Sequence, residues 1–416
     1  MAESYAPARP LPRPAAPSDY AELKRRVREA GLLEKQPAYY IRLIVVNTIL
    51  LAACIAILVL FRNPWILAAD AIAIGLVSGQ LGFQLHDSGH HQMFERKWKN
   101  VLVGFLTADV LLGMSYGWWV EKHNRHHANP NHADLDPDVN SPAIVYSTEQ
   151  ALQRRGVRRF IAKYQAFFFF PLICLLGWSM HVAGTTFLAK QPSRLRRAEV
   201  SVLIVHALLY LGLLTWLLGP LAALLVIVLH KAAGGFYLAT VFAPNHKGML
   251  EVDENSELDF LRAQVLTSRN IRANWLTDYW YGSLNYQVEH HLFPSMARSK
   301  VRRAHYMVRE YCAEIGVPYH ETSLIGSFRE LLGFLHEVGA PLRAAGAGAA
   351  SEVLATPPGT PSIARATPSA LSLARRRQMR RHRRRLGRTA WLMSWVAGLL
   401  ALSFVSLFGL WAALGH

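Results

Sequence analysis

The stretch His123-Asn124-Arg125-His126-His127 directly follows an apolar segment and has the spacing His-x-x-His-His. Residues at positions i, i+3 and i+4 of a helix share one face, so these three imidazoles can point to one place. Two other stretches repeat this kind of pattern: His86-Asp87-Ser88-Gly89-His90-His91 upstream and Gln287-Val288-Glu289-His290-His291 downstream. We therefore predict a fold that brings the three clusters together at one metal site.

The composition indicates an all-α protein that crosses a membrane several times. Of the 416 residues, 52% are hydrophobic, and the apolar residues are gathered into long blocks. Such blocks are typical of membrane-spanning helices rather than of a soluble core. The formal net charge is +17, which in a membrane protein indicates basic loops on the cytoplasmic side. We expect no nucleic-acid partner.

Four apolar blocks are predicted to span the membrane: residues 40–61, 65–85, 200–218 and 221–241. The first pair of spans returns the chain to its starting side, so His86 lies on the face where the N-terminus lies. The second pair returns the chain to that face near His246. This arrangement places every histidine cluster on one side of the membrane.

Two further apolar stretches, residues 101–119 and 160–188, are predicted to be re-entrant or interfacial. The first lies between two histidine clusters, so a single crossing there would separate the clusters. The second has basic residues on both flanks, and the positive-inside rule keeps both flanks in the cytoplasm. We therefore expect each stretch to enter the membrane and return.

The predicted architecture has four core transmembrane helices and re-entrant helices beneath a cytoplasmic metal-binding cap. Residues 1–35 form a disordered or interfacial N-terminus, with a short amphipathic helix on the membrane surface after Ser18. Residues 36–342 form the membrane domain, residues 343–389 a flexible linker with an Arg-rich run, and residues 390–416 an extra C-terminal span. We predict a multi-pass protein of the bacterial plasma membrane with its clusters on the cytoplasmic face.

The number of histidines favours two metal ions. Neutral imidazole binds iron, zinc and copper, and a zinc site uses about four ligands. The three clusters offer more ligands than one zinc ion needs, and His246, beside Asn245, adds another. The zinc hydrolase pattern His-Glu-x-x-His is absent. We expect iron, which activates O2 against C–H bonds, as the metal and an acyl chain or another lipid of the adjacent membrane as the substrate.

Residues near the clusters are assigned supporting roles. Asp87 and Glu289 stand beside histidines and are expected to orient imidazole rings, although either could bind metal. His91 is a possible ligand, but it points about 100° away from His90 on a helix. Isolated histidines within apolar blocks are expected to have satisfied hydrogen bonds and no part in the metal site: His181, His206 and His230.

The three clusters, with the flanking Asn285-Tyr286 and Leu292-Phe293-Pro294, resemble the histidine boxes of membrane fatty acid desaturases. The Gln at the head of the third box is similar to that of the acyl-lipid and front-end, linoleoyl-CoA desaturase-like branch. The resemblance implies a four-span fold, two non-haem iron ions, and Gln287 as a ligand or near-ligand. Asn245 would make a water-mediated contact, and the implied ligands are His86, His90, His123, His126, His127, His246, His290 and His291.

The same resemblance implies a fatty acyl desaturase acting on an acyl-lipid or acyl-CoA. Such an enzyme uses O2 and two electrons to form a double bond, with no catalytic residues beyond the metal ligands. The His-Pro-Gly-Gly signature of a fused cytochrome is absent. We therefore expect a separate donor, either a ferredoxin or a b-type cytochrome with its reductase. The alternatives are a lipid or carotenoid hydroxylase or ketolase and a non-enzymatic metal-binding scaffold.

Overall fold

The computed structural model describes residues 18–141, 143–190 and 196–344, which are mostly helical. The first helices are α1 (Asp19–Glu29), α2 (Pro37–Leu60), α3 (Pro64–Gly89), α4 (Lys97–Phe105), α5 (Tyr116–Ala128), α6 (Thr148–Leu152), α7 (Gly156–Lys163), α8 (Gln165–Ile173) and α9 (Leu176–Lys190). They are followed by α10 (Arg196–Leu218), α11 (Pro220–His246), α12 (Phe260–Leu266), α13 (Trp275–Trp280), α14 (Gln287–Leu292), α15 (Arg298–Glu314), α16 (Leu324–Val338) and α17 (Ala340–Ala344).

Short irregular elements complete the described part of the chain. A π-helical segment, Leu106–Leu112, continues α4, and a 3₁₀ turn covers Pro137–Val139. Two short parallel strands, β1 (Asn270–Ile271) and β2 (Glu321–Thr322), pair in the register Asn270 to Glu321. These strands tie the chain between α12 and α13 to the chain before α16.

Four described helices are long and apolar enough to cross a membrane, and they match the four predicted spans. They are α2, α3, α10 and α11, and the two bent helix pairs would raise the number to six if each were one span. Large apolar side chains face outward on these helices, including Leu60, Trp65 and Trp216. A lipid environment accounts for this exposure, because water would disfavour so much contiguous apolar surface.

Helices α3 and α11 pack closely through glycine. A Cβ atom at Gly75 would lie 2.6 Å from the Cβ atom of Ala233 and 2.8 Å from the backbone nitrogen of Gly234. A Cβ atom at Gly79 would meet the ring of Tyr237. Small residues at such a contact allow helix backbones to approach within a membrane. This packing fixes the two helices that deliver His86 and His246.

The two stretches predicted to be re-entrant are both sharply bent. The segment Lys97–Leu112 meets α5 at 116°, and α8 meets α9 at 70°. Gly113 makes the first bend with a φ of 68°, a left-handed conformation that suits glycine. The histidines on either side of the first bend lie in one group, described below, so this stretch returns the chain to the side from which it came.

Polar side chains satisfy the backbone at the first bend. His181 of α9 lies with Nδ1 2.8 Å from the carbonyl oxygen of Gly113, and His206 of α10 lies 2.8 Å from that of Val110. Glu199 of α10 accepts hydrogen bonds from Ser115 at 2.5 Å and from the amide of Gly117 at 3.2 Å. Carbonyl and amide groups at helix ends need such partners within a membrane. The prediction that His181 and His206 have hydrogen-bond partners is therefore confirmed.

Helices α1, α12, α14 and α15 form a cap with its own apolar core. Leu23 and Val27 of α1 are fully buried against residues of α12, α14 and α15, such as Val265, Val288 and Val308. The helix begins at Ser18, whose hydroxyl accepts a hydrogen bond from the amide of Ala21, as predicted. Its apolar face is thus covered by protein rather than by lipid. The predicted extra span at residues 390–416 lies outside the described residues.

Candidate metal centre

Five histidines from all three predicted clusters form the first group. His86 and His90 come from the end of α3, His123 and His127 from α5, and His290 from α14. One ring nitrogen of each lies within 4.8 Å of one ring nitrogen of every other member. The fold thus brings together residues that are separated by as many as 204 positions.

Three further histidines form the second group, with ring nitrogens again within 4.8 Å of one another. They are His126 of α5, His246 at the end of α11 and His291 of α14. Consecutive residues of a helix point about 100° apart. For this reason α5 and α14 each supply adjacent histidines to different groups.

Hydrogen bonds orient at least four of the rings through Nδ1. His86 contacts the Asp87 carboxylate at 3.1 Å, and His126 contacts both oxygens of Asp136 at 3.0 Å. Nδ1 of His246 lies 3.0 Å from the carbonyl oxygen of Thr267, and Nδ1 of His291 lies 2.8 Å from Oε1 of Gln264. Because each partner is an acceptor, each Nδ1 carries the proton, and each Nε2 presents a lone pair to the group.

Nε2 atoms face one another at short range within each histidine group. The Nε2 atoms of His86 and His290 are 3.1 Å apart, and those of His290 and His127 are 3.0 Å apart. In the second group the Nε2 atoms of His126 and His246 are 3.3 Å apart, although both rings are protonated on Nδ1. Two acceptors at this distance repel each other, whereas a metal ion would bind both. The donor sets therefore fit a metal ion in each group.

Burial keeps the ring nitrogens available for metal. It lowers the pKa of His290 and of His291 well below the ordinary histidine value, and the neighbouring histidines lower both further. Both rings are therefore neutral near pH 7, the form in which imidazole binds metal. A nitrogen-rich donor set of this kind suits iron, copper or zinc.

Two amide side chains adjoin the second group. Nε2 of Gln287 lies 2.8 Å from Nε2 of His246, and Oε1 of Gln287 accepts a hydrogen bond from Asn245 at 2.9 Å. Asn245 is fully buried, and its Oδ1 atom has no partner among the described residues. Both amides thus lie beside the second group, and Gln287, which was predicted to be a ligand or near-ligand, turns its amide nitrogen rather than its oxygen towards His246.

The remaining predicted residues have different outcomes. Asp87 orients His86, as expected, and also pairs with Arg298 at 2.5 Å. Glu289 contacts residues outside both groups: Asn270 at 2.7 Å, Tyr319 at 2.6 Å and Nδ1 of His305 at 3.8 Å. His91 belongs to neither group and has a φ of 55°, because the chain leaves the helical conformation immediately after α3 ends.

Asp136 and Gln264 hold site histidines but were not assigned this role from the sequence. Asp136 is fully buried and also caps the 3₁₀ turn through the amide of Asp138. Closely spaced aspartates such as Asp134, Asp136 and Asp138 are typical of a capping loop, but their spacing does not show which histidine Asp136 contacts. Gln264 lies 27 positions before His291 and has no sequence signal. These contacts depend on tertiary structure, which spacing along one helix does not reveal.

Comparison with known proteins agrees with this geometry. The family model described as "Fatty acid desaturase" matches residues 63–323, which contain both histidine groups. The chain belongs to the fatty acid desaturase family. It is therefore a membrane oxidoreductase of this family, and the hydroxylase or ketolase alternative is not favoured. Desaturases generally use a non-haem di-iron centre, and the two histidine groups are compatible with one.

Curated relatives of this fatty acid desaturase are themselves named desaturases. An "Acyl-lipid (9-3)-desaturase" of Physcomitrium patens is 32% identical over 340 residues, or 79% of this chain and 64% of that protein. A "Delta(5) fatty acid desaturase fat-4" of Caenorhabditis elegans is 28% identical over 72% of this chain and 69% of its own length. A "Delta(8)-fatty-acid desaturase" of Euglena gracilis is 28% identical over 73% and 74% of the two chains. These relatives are eukaryotic and do not support the predicted bacterial origin.

Proposed function

We propose that this chain is an O2-dependent fatty acyl desaturase of the acyl-lipid or front-end branch. The observation that carries the proposal is the pair of histidine groups within which Nε2 atoms face one another at 3.0–3.3 Å. The names of the relatives support an acyl chain as substrate, and the helices that carry His86 and His246 are apolar enough to span a membrane. We propose that this acyl chain is carried by a lipid or by CoA.

The eight histidines of the two groups are proposed to hold two iron ions. When bound, the ions would activate O2 so that two hydrogens are removed from neighbouring carbons of the acyl chain. Other residues of the protein orient these histidine ligands through hydrogen bonds. The Asp87 and Asp136 carboxylates and the Thr267 carbonyl fix the rings of His86, His126 and His246.

The overall reaction requires an electron donor as well as a substrate. Forming one C=C bond releases two electrons and two protons from the acyl chain, and reducing O2 to two water molecules needs two further electrons and protons. We propose that a separate acidic protein, a ferredoxin or a b-type cytochrome, supplies these electrons. The net charge of +17 supports an acidic partner, because opposite charges steer association.

The outer face of α5 is the proposed docking point for this donor. Asn124 and Arg125 are exposed, while the preceding residue His123 and the following residue His126 belong to the two metal groups. Electrons arriving at this surface would therefore be within one helical turn of both groups. The proposed orientation places this face in the cytoplasm, since the flanks of the re-entrant α8–α9 stretch are basic.

Analysis of fatty acid methyl esters from a host with and without the gene tests the proposed function. We expect a new unsaturated ester, and its double-bond position would identify the regioselectivity. A host expressing His291→Ala at matched level is the control and should lack the product. Feeding labelled acyl-CoA and labelled phospholipid separately to membranes distinguishes the two acyl carriers. A hydroxylated ester in place of the unsaturated one would contradict the proposal.

A further inference from the structure

Gln287 is held in one orientation by a chain of hydrogen bonds. The amide nitrogen of Asn245 lies 2.9 Å from the carbonyl oxygen of Leu284 and 2.9 Å from Oε1 of Gln287. A carbonyl oxygen only accepts hydrogen bonds, so Leu284 requires the NH2 group of Asn245 on its side. The same NH2 group then requires the oxygen of Gln287 on the other side. Gln287 is left with its own NH2 group facing the second histidine group.

The NH2 group of Gln287 lies close to the position expected for the second metal ion. It is 2.8 Å from Nε2 of His246, the atom whose lone pair also faces His126 at 3.3 Å. His246 donates its single proton from Nδ1 to Thr267, so its Nε2 atom can serve either Gln287 or a metal ion. With metal bound, the buried N–H of Gln287 needs a new acceptor, because an unpaired buried donor is unfavourable.

We infer that Gln287 is a hydrogen-bond donor to an anionic ligand held at the second histidine group, rather than a metal ligand. This inference rests on the proposed function, since it takes a metal ion at His126, His246 and His291 as given. An amide nitrogen has no lone pair available for a metal, whereas its N–H groups suit an anion. Gln287 would thus bind the anionic ligand, and the three histidines would hold the metal ion.

The alternative is that the oxygen of Gln287 binds metal, and the two roles predict different losses. Removal of a ligand from the second group would leave three histidines and weaken iron binding there. Removal of a donor would leave iron content unchanged and weaken the binding of anions. Gln287→Leu removes the whole amide, and Gln287→Asn keeps an amide but shortens its reach. Gln165→Leu is the matched control, because Gln165 is a buried glutamine that contacts Val145 and Leu335 rather than a histidine.

The experiment measures iron content and azide binding in each purified full-length variant. Azide is the anionic probe, and its charge-transfer absorbance with oxidised iron reports binding independently of desaturation. We expect wild-type iron content in both Gln287 variants and azide dissociation constants raised about ten- to hundredfold, the usual effect of losing a hydrogen bond to a charged group. Gln165→Leu should unfold at a lower temperature but bind azide as the wild type does.

The outcomes separate the inference from the proposed function. Loss of about one iron ion per chain in Gln287→Leu, with full iron in Gln165→Leu, would identify Gln287 as a ligand and overturn the inference. Full iron with an azide dissociation constant within twofold of wild type would also overturn it, since the amide would then contact no anion. Wild-type protein that contained no iron would contradict the proposed function instead.

Discussion

Replacement of Asp136 by asparagine should release iron selectively from the second histidine group. The Asp136 carboxylate contacts Nδ1 of His126 at 3.0 Å through both oxygens. It also accepts hydrogen bonds from the amide of Asn131 at 2.9 Å and from the amide of Asp138 at 2.8 Å. One carboxylate therefore fixes the tautomer of a proposed ligand and the loop that follows α5.

The size of the effect follows from the number of donors around this carboxylate. Every one of its three partners is an N–H group, and asparagine offers one oxygen and one NH2 group. The NH2 group must face one of these donors, so a buried hydrogen bond is lost and the charge that stabilises the ring of His126 is removed. Loss of such a partner typically lowers metal affinity about 10- to 100-fold. This corresponds to about 1.4–2.7 kcal/mol at the second group.

The assay is a titration with a chelator, followed by measurement of iron per chain. Asp136→Asn should lose the iron ion of the second histidine group at a chelator concentration about 10- to 100-fold lower than the wild type. The iron ion of the first group should be retained, because Asp136 contacts no histidine of that group. Asp134→Asn removes the same charge at an exposed position and serves as the control. Identical titration curves for Asp136→Asn and wild type would refute the argument.

Four further predictions follow from the same geometry. His291→Ala should abolish turnover and lose about one iron ion per chain, while His290→Ala should abolish turnover with a smaller loss, because four histidines remain in the first group; metal analysis distinguishes these results. Arg125→Glu should slow reduction by an acidic donor several-fold but leave reduction by dithionite unchanged, which stopped-flow absorbance can measure. Gly75→Leu should destabilise the α3–α11 contact by about 1–3 kcal/mol through overpacking, and a lower unfolding temperature in detergent would reveal it. Deletion of residues 345–416 should leave iron content and turnover intact; a folded, iron-loaded but inactive truncation would contradict this.

The four spans and the two bends could be predicted from the sequence, because apolar length and the side of the membrane on which polar segments lie can both be inferred from it. Spans depend on uninterrupted apolar length, which is visible directly. The first bend follows from the requirement that the histidines before and after it lie on one side of the membrane, and the second follows from the basic residues on both of its flanks. The packing of α1 was not predictable in the same way. Its apolar stripe fits either lipid or protein, and only the cap core around Val288 and Val308 decides between them.

Spacing predicted which histidines meet, but not how they divide between two groups. The i, i+3 and i+4 positions of His123, His126 and His127 share a broad face, and this face is wide enough to supply two neighbouring sites. Only the positions of His246 and His290 show that His126 turns towards one group and His127 towards the other. The hydrogen-bond partners of the rings were still harder to predict. Thr267, for example, contacts His246 through its backbone carbonyl, which any residue type could provide.

The placement of α5 links the membrane interior to the metal centre. This helix supplies His123 and His127 to one group and His126 to the other, so a shift along its axis would move ligands of both groups together. Its N-terminus is fixed by Glu199, which accepts hydrogen bonds from Ser115 and Gly117 at the bend. The four leading amides of a helix need such acceptors, and within a membrane water does not supply them. Glu199 lies on α10, which carries no member of either histidine group. By fixing the N-terminus of α5, its carboxylate fixes the position of three proposed ligands relative to the other five.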